Sequence, residues 1–392
     1  MKTVHPSLDL TESRILARPD ESACQAFVNW TAHKALPLWA SHNDPLRFPF
    51  VECLTPEGWP SKPRGVRLRV MARQVIVYSQ AANAGIHGAL EKAQQGWDAL
   101  YRAYWSITTG WAECVVPPRK AVDTKFSLYN QAFAIFAAAS WAEASFRSEP
   151  VAMARRTINL IDRRLATGDE LGWRSEEFSA VRDQNSHMHY LEALLALHRI
   201  EPSYLVRSRI DELLRLLRRH LLQPHGAIVE RFNVQWRFDE EHAEVEPGHL
   251  YEWYSLITAA REQGFTIDTD ESNLIRFAET FGWNNKSGLL YNTCNLDGQP
   301  KDASHRLWPH CEALRAVSLL PELDQARAEQ IAATIKSVFL DPAPDGAWID
   351  RVTDGLDPVR QEIPASSLYH LWGAAHALVT AGLAQWPTDA SC

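Results

Sequence analysis

Six unusual polar or aromatic residues recur along this chain at a nearly fixed interval: Arg73, Tyr129, His189, His249, Trp308 and His370. The steps between them are 56, 60, 60, 59 and 62 residues. An interval near 60 holds two helices and two connections, so six such units fill the 392 residues. Units of this kind cannot bury an apolar face alone and must stack on their neighbours. Six helix hairpins can close into a toroid of six inner and six outer helices. In a closed toroid the equivalent positions of the inner helices point at one central cavity. The period therefore predicts that six residues spread over the chain converge in space. It also predicts one domain over 1–392, although length alone suggests two or three.

The local patterns agree with an all-α fold. Apolar residues recur with helical periodicity over 21–41, 64–83, 86–106, 125–145, 149–166, 187–200, 203–222, 248–264, 271–282, 305–319, 321–340 and 365–384. These are the twelve helices of an (α/α)6 barrel. Between them lie short segments that read as β-hairpins, starting at Gly110, Gly226, Gly288 and Gly346. Asp297-Gly298 and Asp354-Gly355 supply turns for the last two.

Composition narrows the partners. Charged residues make up 22%, with a net charge of −8, which points away from nucleic acid and anionic membrane surfaces. The sequence has no run of eighteen apolar residues and no signal-peptide pattern. The six cysteines are scattered without a CxxC pair, the pattern of reduced thiols in a cytoplasmic protein. The chain holds 15 Trp, 15 His and 10 Tyr. Trp and Tyr join an apolar face to a polar tip, and carbohydrate pockets use such surfaces.

The chemistry sits at helix starts. Asn185 and His189 are four apart on one helix face, with Glu192 three further on. His249 and Glu252 repeat the spacing, and Trp253 completes that face. Trp308 with Glu312, and Ser366 with His370, are pairs four apart that again share one face. The positive end of a helix dipole favours a neutral imidazole, which is a usable base near pH 7. Glu252 is expected to hold the His249 ring. His187-x-His189 splays its rings apart, and no H-E-x-x-H or clustered Cys is present, so no metal and no cofactor are expected. Arg73 sits in the apolar run 70–77, where a buried charge needs a carboxylate or a polar ligand.

Taken together and in order, four segments resemble the N-acylglucosamine 2-epimerase family. They are Asn185-x-x-Met-His189, Pro247-Gly-His-x-x-Glu-Trp253, Arg306-x-Trp-Pro-x-x-Glu312 and Tyr369-His370. The resemblance spans nearly the whole chain. It implies an (α/α)6 barrel acting on a small monosaccharide, without a cofactor in the isomerase branch. By position it implies that His249 and His370 are the acid/base pair and that Glu252 supports His249. Arg73 matches an arginine on the reacting sugar oxygens. Tyr129, Asn185, His189 and Trp308 match substrate-binding residues. Two departures separate the chain from sulfoquinovose isomerase. Arg69 stands where that enzyme carries tryptophan, and the acidic run 238–246 replaces a loop that carries arginine there. Both favour a neutral hexose over an anionic sugar.

The implied reaction opens the sugar ring, removes the C2 proton and passes through an enediol. Ring opening needs an acid at the ring oxygen and a base at the anomeric hydroxyl. One histidine, preferably His370, then works at carbon, and the other shuttles a proton between O1 and O2. The expected substrate pair is D-mannose and D-fructose, with D-lyxose and D-xylulose as a second pair of the same C2 configuration. Return of the proton to the opposite face of C2 makes the same site a 2-epimerase. A glycoside hydrolase would need two carboxylates across the bond, where this chain has histidines. A non-catalytic sugar-binding protein would have no use for both His249 and His370. Monomer and dimer both remain open.

Overall fold

The computed structural model describes residues 21–42, 48–116, 120–123, 125–168 and 171–392. Every predicted helix is present. Helix α1 runs over 23–41, as Ala23–Trp30, a π-helical turn Thr31–Ala35 and Leu36–Ser41. Helices α2 (Leu68–Asn83), α3 (Ala89–Tyr104), α4 (Leu128–Ser145) and α5 (Glu149–Leu165) follow. Next come α6 (Gln184–Ile200), α7 (Tyr204–Leu216), α8 (Pro247–Glu262) and α9 (Ser272–Phe281). The last are α10 (Leu307–Val317), α11 (Gln325–Ile335) and α12 (Leu368–Thr380).

The even-numbered helices form the inner ring. Each packs on the next, and α12 packs back on α2, so the ring is closed. The odd-numbered helices lie outside. Helix α1 packs against α12 and α11, so the two chain ends together make the sixth hairpin. Inner helices are covered on both sides and lose their amphipathic stripe: residues 186–197 of α6 are all buried. Outer helices keep one solvated face, as α5 shows with its last-turn Arg163 and Arg164. Side-chain caps start several helices of both rings, the inner ones α6 and α4 among them. Asp183 accepts from the Ser186 N–H at 2.6 Å, and Ser127 from the Asn130 N–H at 3.3 Å.

The short strands do a different job from the one expected. Hairpins do form at Trp105–Ser106 with Gly110–Trp111, at Trp283–Asn284 with Leu289–Leu290, and at Thr293–Cys294 with Pro300–Asp302. The predicted hairpins at Gly226 and Gly346 each keep one local antiparallel bridge, Leu222 with Ile228 and Val352 with Pro358, and each also sends a strand back to an earlier segment. Arg231–Phe232 pairs with Arg182–Asp183, and Arg351–Val352 pairs with His305–Arg306. The same stitch joins Val66–Arg67 to Cys114–Val116, Ser127 to Glu176, and Val245 to Cys294. It closes the ring by joining Ile363–Pro364 to Cys53–Leu54. In each case the segment before an inner helix pairs with the segment after the following outer helix. Backbone groups at the helix starts are satisfied this way. Leu68, Leu128, Gln184, Leu307 and Ala365 donate to the carbonyls of Glu113, Ser175, Glu230, Asp350 and Glu52. Pro247 has no N–H, and there Val245 and Cys294 exchange two bonds of 2.9 Å instead.

Two buried histidines fasten these stitches. His187 Nδ1 bonds the Asp183 carbonyl, and its Nε2 accepts from the Trp173 N–H. His310 does the same with the Arg306 carbonyl and the Leu290 N–H, at 2.7 and 2.9 Å. Burial lowers the His310 pKa to about 3. A folded-state pKa below the unfolded value means that stability falls as pH drops below about 6.5 and keeps falling toward 3. His310→Phe is therefore expected to flatten the loss of melting temperature between pH 7 and 4. An unchanged slope would show that this ring is not what acid attacks. His187 also points away from the cavity, as its splay from His189 predicts.

The cysteines do not pair with one another in disulfides among the described residues. No helix among the described residues is long and apolar enough to cross a membrane.

Candidate active site

The six periodic residues converge. Arg73, Tyr129, His189, His249, Trp308 and His370 all line one cavity of about 170 Å³ at the N-terminal ends of the inner helices. Asn185 and Glu252 line it too, so all eight predicted residues meet there. Glu246, Arg306, Ser366 and Ser367 complete the wall. His249 and His370 follow the order of the period. They sit two inner helices apart with Trp308 between them, at centroid distances of 4.9 and 5.5 Å from its ring. Gly248 makes this packing possible: a Cβ there would stand 2.7 Å from two indole carbons.

The partner of His249 differs from the expected one. Its Nδ1 donates to Glu230 Oε1 at 2.9 Å, and Glu252 makes no hydrogen bond to it. Glu230 is itself fixed from the other side by Gln184, whose Nε2 donates to Oε2 at 2.9 Å. Trp253 Nε1 in turn donates to Gln184 Oε1 at 2.6 Å. Burial opposes a charge on His249, but the carboxylates of Glu230 and Glu246 outweigh it and raise its pKa to about 10. The helix-dipole expectation of a neutral ring therefore fails here, because two nearby full charges exceed the partial charge of a helix end. Glu230 carried a signal of its own. It occupies the same stitch position as Glu52, Glu113 and Asp350, the one whose carbonyl meets a helix start.

His370 is in the opposite state. Burial, Arg73 and His189 lower its pKa well below the usual imidazole value. Its Nδ1 meets Glu312 Oε1 at 2.6 Å, and its other nitrogen is left to the cavity. His189 repeats the plan, with Nδ1 on Glu192 Oε2 at 3.0 Å. Arg315 joins the two pairs, 3.4 Å from Glu312 and 3.7 Å from Glu192, and Tyr369 donates to Glu192 from within the core. These three contacts, against burial, hold Glu192 down at about 2. Glu252 lies 3.7 Å from His189 with both oxygens buried and unpartnered among the described residues. Burial, Glu312 and Glu192 push its pKa well above the carboxylate range, so it stands as a neutral acid.

Among the described residues Arg73 has no carboxylate partner. Its Nη2 donates to the Tyr129 hydroxyl at 3.1 Å, and its guanidinium lies over Phe133 and Tyr369 at 4.5 and 5.1 Å. Its Nε and the Asn185 Oδ1 are buried without a hydrogen-bond partner among the described residues. Unpaired polar groups around a small cavity are what a hydroxylated ligand would satisfy.

Three clusters have the ligand types for a metal ion: His189 with Glu192 and Glu252, Glu230 with Glu246 and His249, and Glu252 with Glu312 and His370. In each the histidine nitrogen concerned already faces a carboxylate, and Arg315 adds positive charge beside Glu192 and Glu312.

Comparison with known proteins identifies the fold and the family. A mannose-6-phosphate isomerase from Rhizobium meliloti (strain 1021) is 29% identical over 377 residues, covering 89% of this chain and 95% of that protein. The crystal structure of a D-mannose isomerase superposes with a TM-score of 0.80 at 18% identity, over 91% of this chain and 96% of the other. Cellobiose 2-epimerase from Spirochaeta thermophila superposes with a TM-score of 0.77 at 22% identity, over 91% and 96%. These likenesses establish the (α/α)6 barrel. The family profile of N-acylglucosamine 2-epimerase matches residues 50–374, and the chain belongs to that family of sugar isomerases and epimerases.

Proposed function

We propose that this enzyme interconverts D-mannose and D-fructose through an enediol, using protons alone. One observation carries the reading: two imidazoles, each with its Nδ1 on a buried carboxylate, flank one indole on one cavity. His370, neutral, takes the proton from C2 and returns it to C1. His249, cationic, gives its proton to O1 and recovers one from O2. Charge builds on O1 as the C2 proton leaves, and Arg73 with Tyr129 stabilises it. Asn185, His189 and Trp308 hold the sugar, and the neutral Glu252 lies sealed behind His189. D-Lyxose and D-xylulose are a second pair with the same configuration at C2. Arg315 already supplies the positive charge that the buried carboxylates require, which supports a metal-free site.

The Rhizobium relative is named for a phosphorylated mannose. The acidic run 238–246 that leads into α8 favours a neutral sugar instead. The scattered placement of the cysteines along the sequence supports a cytoplasmic location. The test is incubation with mannose in heavy water plus EDTA, followed by proton NMR. Deuterated fructose is expected. Deuterated glucose would make the enzyme a 2-epimerase, no exchange would make it a binding protein, and loss of activity in EDTA would end the metal-free reading.

A further inference from the structure

Ring opening is the step that the two histidines leave without a catalyst. A cyclic aldose must break its C1–O5 bond before C2 becomes acidic. His249 is held as a cation by Glu230, and a neutral His370 is needed at carbon. Glu246 stands on the same wall, with Oε2 3.8 Å from His249 Nδ1. Its backbone is fastened: the N–H donates to Glu230 Oε1 at 3.3 Å, and the carbonyl accepts from the His249 N–H at 3.0 Å. Its carboxyl accepts no hydrogen bond among the described residues, and 26% of the side chain stays exposed. Glu252, on the same cavity, is sealed at 0%. Glu246 is thus a carboxyl on a fixed stem, open to whatever fills the cavity. Burial raises its pKa to about 7, with His249 and Arg306 pulling it down and Glu230 and Glu244 pushing it up. At neutral pH both acid and base forms are populated.

We propose that Glu246 opens the sugar ring as a bifunctional carboxyl, which gives the protein a mutarotase activity separate from its chemistry at C2. The carboxyl O–H gives its proton to O5 while the other carboxyl oxygen takes the proton from O1–H. The C1–O5 bond breaks and the C1=O1 bond forms. Glu246 ends in the acid form in which it began, so no co-reactant is consumed. The two sugar oxygens share one carbon, as the two carboxyl oxygens do, so one group reaches both. Rotation about C1–C2 and reversal of the step give the other anomer. The proposal rests on the sugar-isomerase reading only in taking an aldose as the ligand.

The experiment measures two rates on the full chain. One is exchange between α- and β-D-mannose by NMR. The other is C2 deuterium uptake, from mannose and from D-glyceraldehyde, which is too short to close a ring. The wild type is expected to accelerate anomer exchange, and the effect should fade as pH rises through about 7, where the acid form is lost. Glu246→Gln is expected to lower anomer exchange about 100-fold. Its loss of C2 uptake should be at least about tenfold greater on mannose than on glyceraldehyde. Glu246→Asp, which keeps a carboxyl, should recover part of the anomer exchange and serves if the amide variant does not fold. Equal losses on both aldoses would make Glu246 a support for His249 and overturn the proposal. So would a wild type that leaves anomer exchange at the solvent rate or shows no decline above pH 7. Anomer exchange without C2 uptake from either aldose would sink the isomerase reading while leaving Glu246 in its role.

Discussion

Replacing His370 by asparagine is expected to cut C2 deuterium uptake from mannose by about 100- to 10,000-fold while the protein stays folded. The ring is buried and its Nδ1 is committed to Glu312, so the nitrogen left to the cavity is the base available for a carbon-bound proton. Asparagine can keep a contact to Glu312 but offers no group that accepts a proton near neutral pH. Arg315 remains beside Glu312, so the carboxylate is not left without a counter-charge. Thermal melting should report a loss of no more than about 1–3 kcal/mol, the usual cost of one lost buried hydrogen bond. Uptake within tenfold of wild type would remove His370 from catalysis. His249→Asn is expected to fall as far, but through the oxygen proton. In that variant a substrate already in ketose form should be blocked as fully as the aldose.

The second large effect lies at a residue that family motifs do not mark. Glu230→Gln keeps the shape of the side chain and removes the charge that raises His249 to about 10. Burial then acts on the imidazole with only Glu246 and Glu252 to oppose it. The alkaline limb of C2 uptake from D-glyceraldehyde, which needs no ring opening, should move from near 10 toward the ordinary imidazole range. At pH 9 the cationic form would drop about 100-fold in population, and this uptake with it. At pH 6 the variant should lose far less. The stability linkage runs the same way. A folded pKa above the unfolded one stabilises the protein fully below about 6.5, and that stabilisation is lost as pH rises through about 10. Glu230→Gln should therefore flatten the alkaline side of the stability curve. An uptake profile whose alkaline limb stays in place would show that Glu230 only packs against the ring.

Much of this architecture was legible in one dimension. Twelve helices follow from apolar periodicity, because burial of one face repeats every turn whatever the neighbour is. The convergence of Arg73, Tyr129, His189, His249, Trp308 and His370 follows from a repeat length near 60, because a closed ring brings equal positions to one centre. The order of the strand pairs was not legible. Two-residue strands have almost no pattern of their own, and Arg231–Phe232 reads equally as half of a local hairpin or as a stitch to Arg182–Asp183.

The linear chain by itself determined which side chains would share a cavity, since that needs only the repeat and the closing of a ring. The folded molecule alone decided their charges. Glu252, four residues from Gly248 along one helix, looked like the natural partner of His249, yet Glu230 from another unit takes that place. Protonation depends on distances of a few ångströms between groups far apart in sequence and on how much water each can reach. Those quantities exist only once the ring has closed.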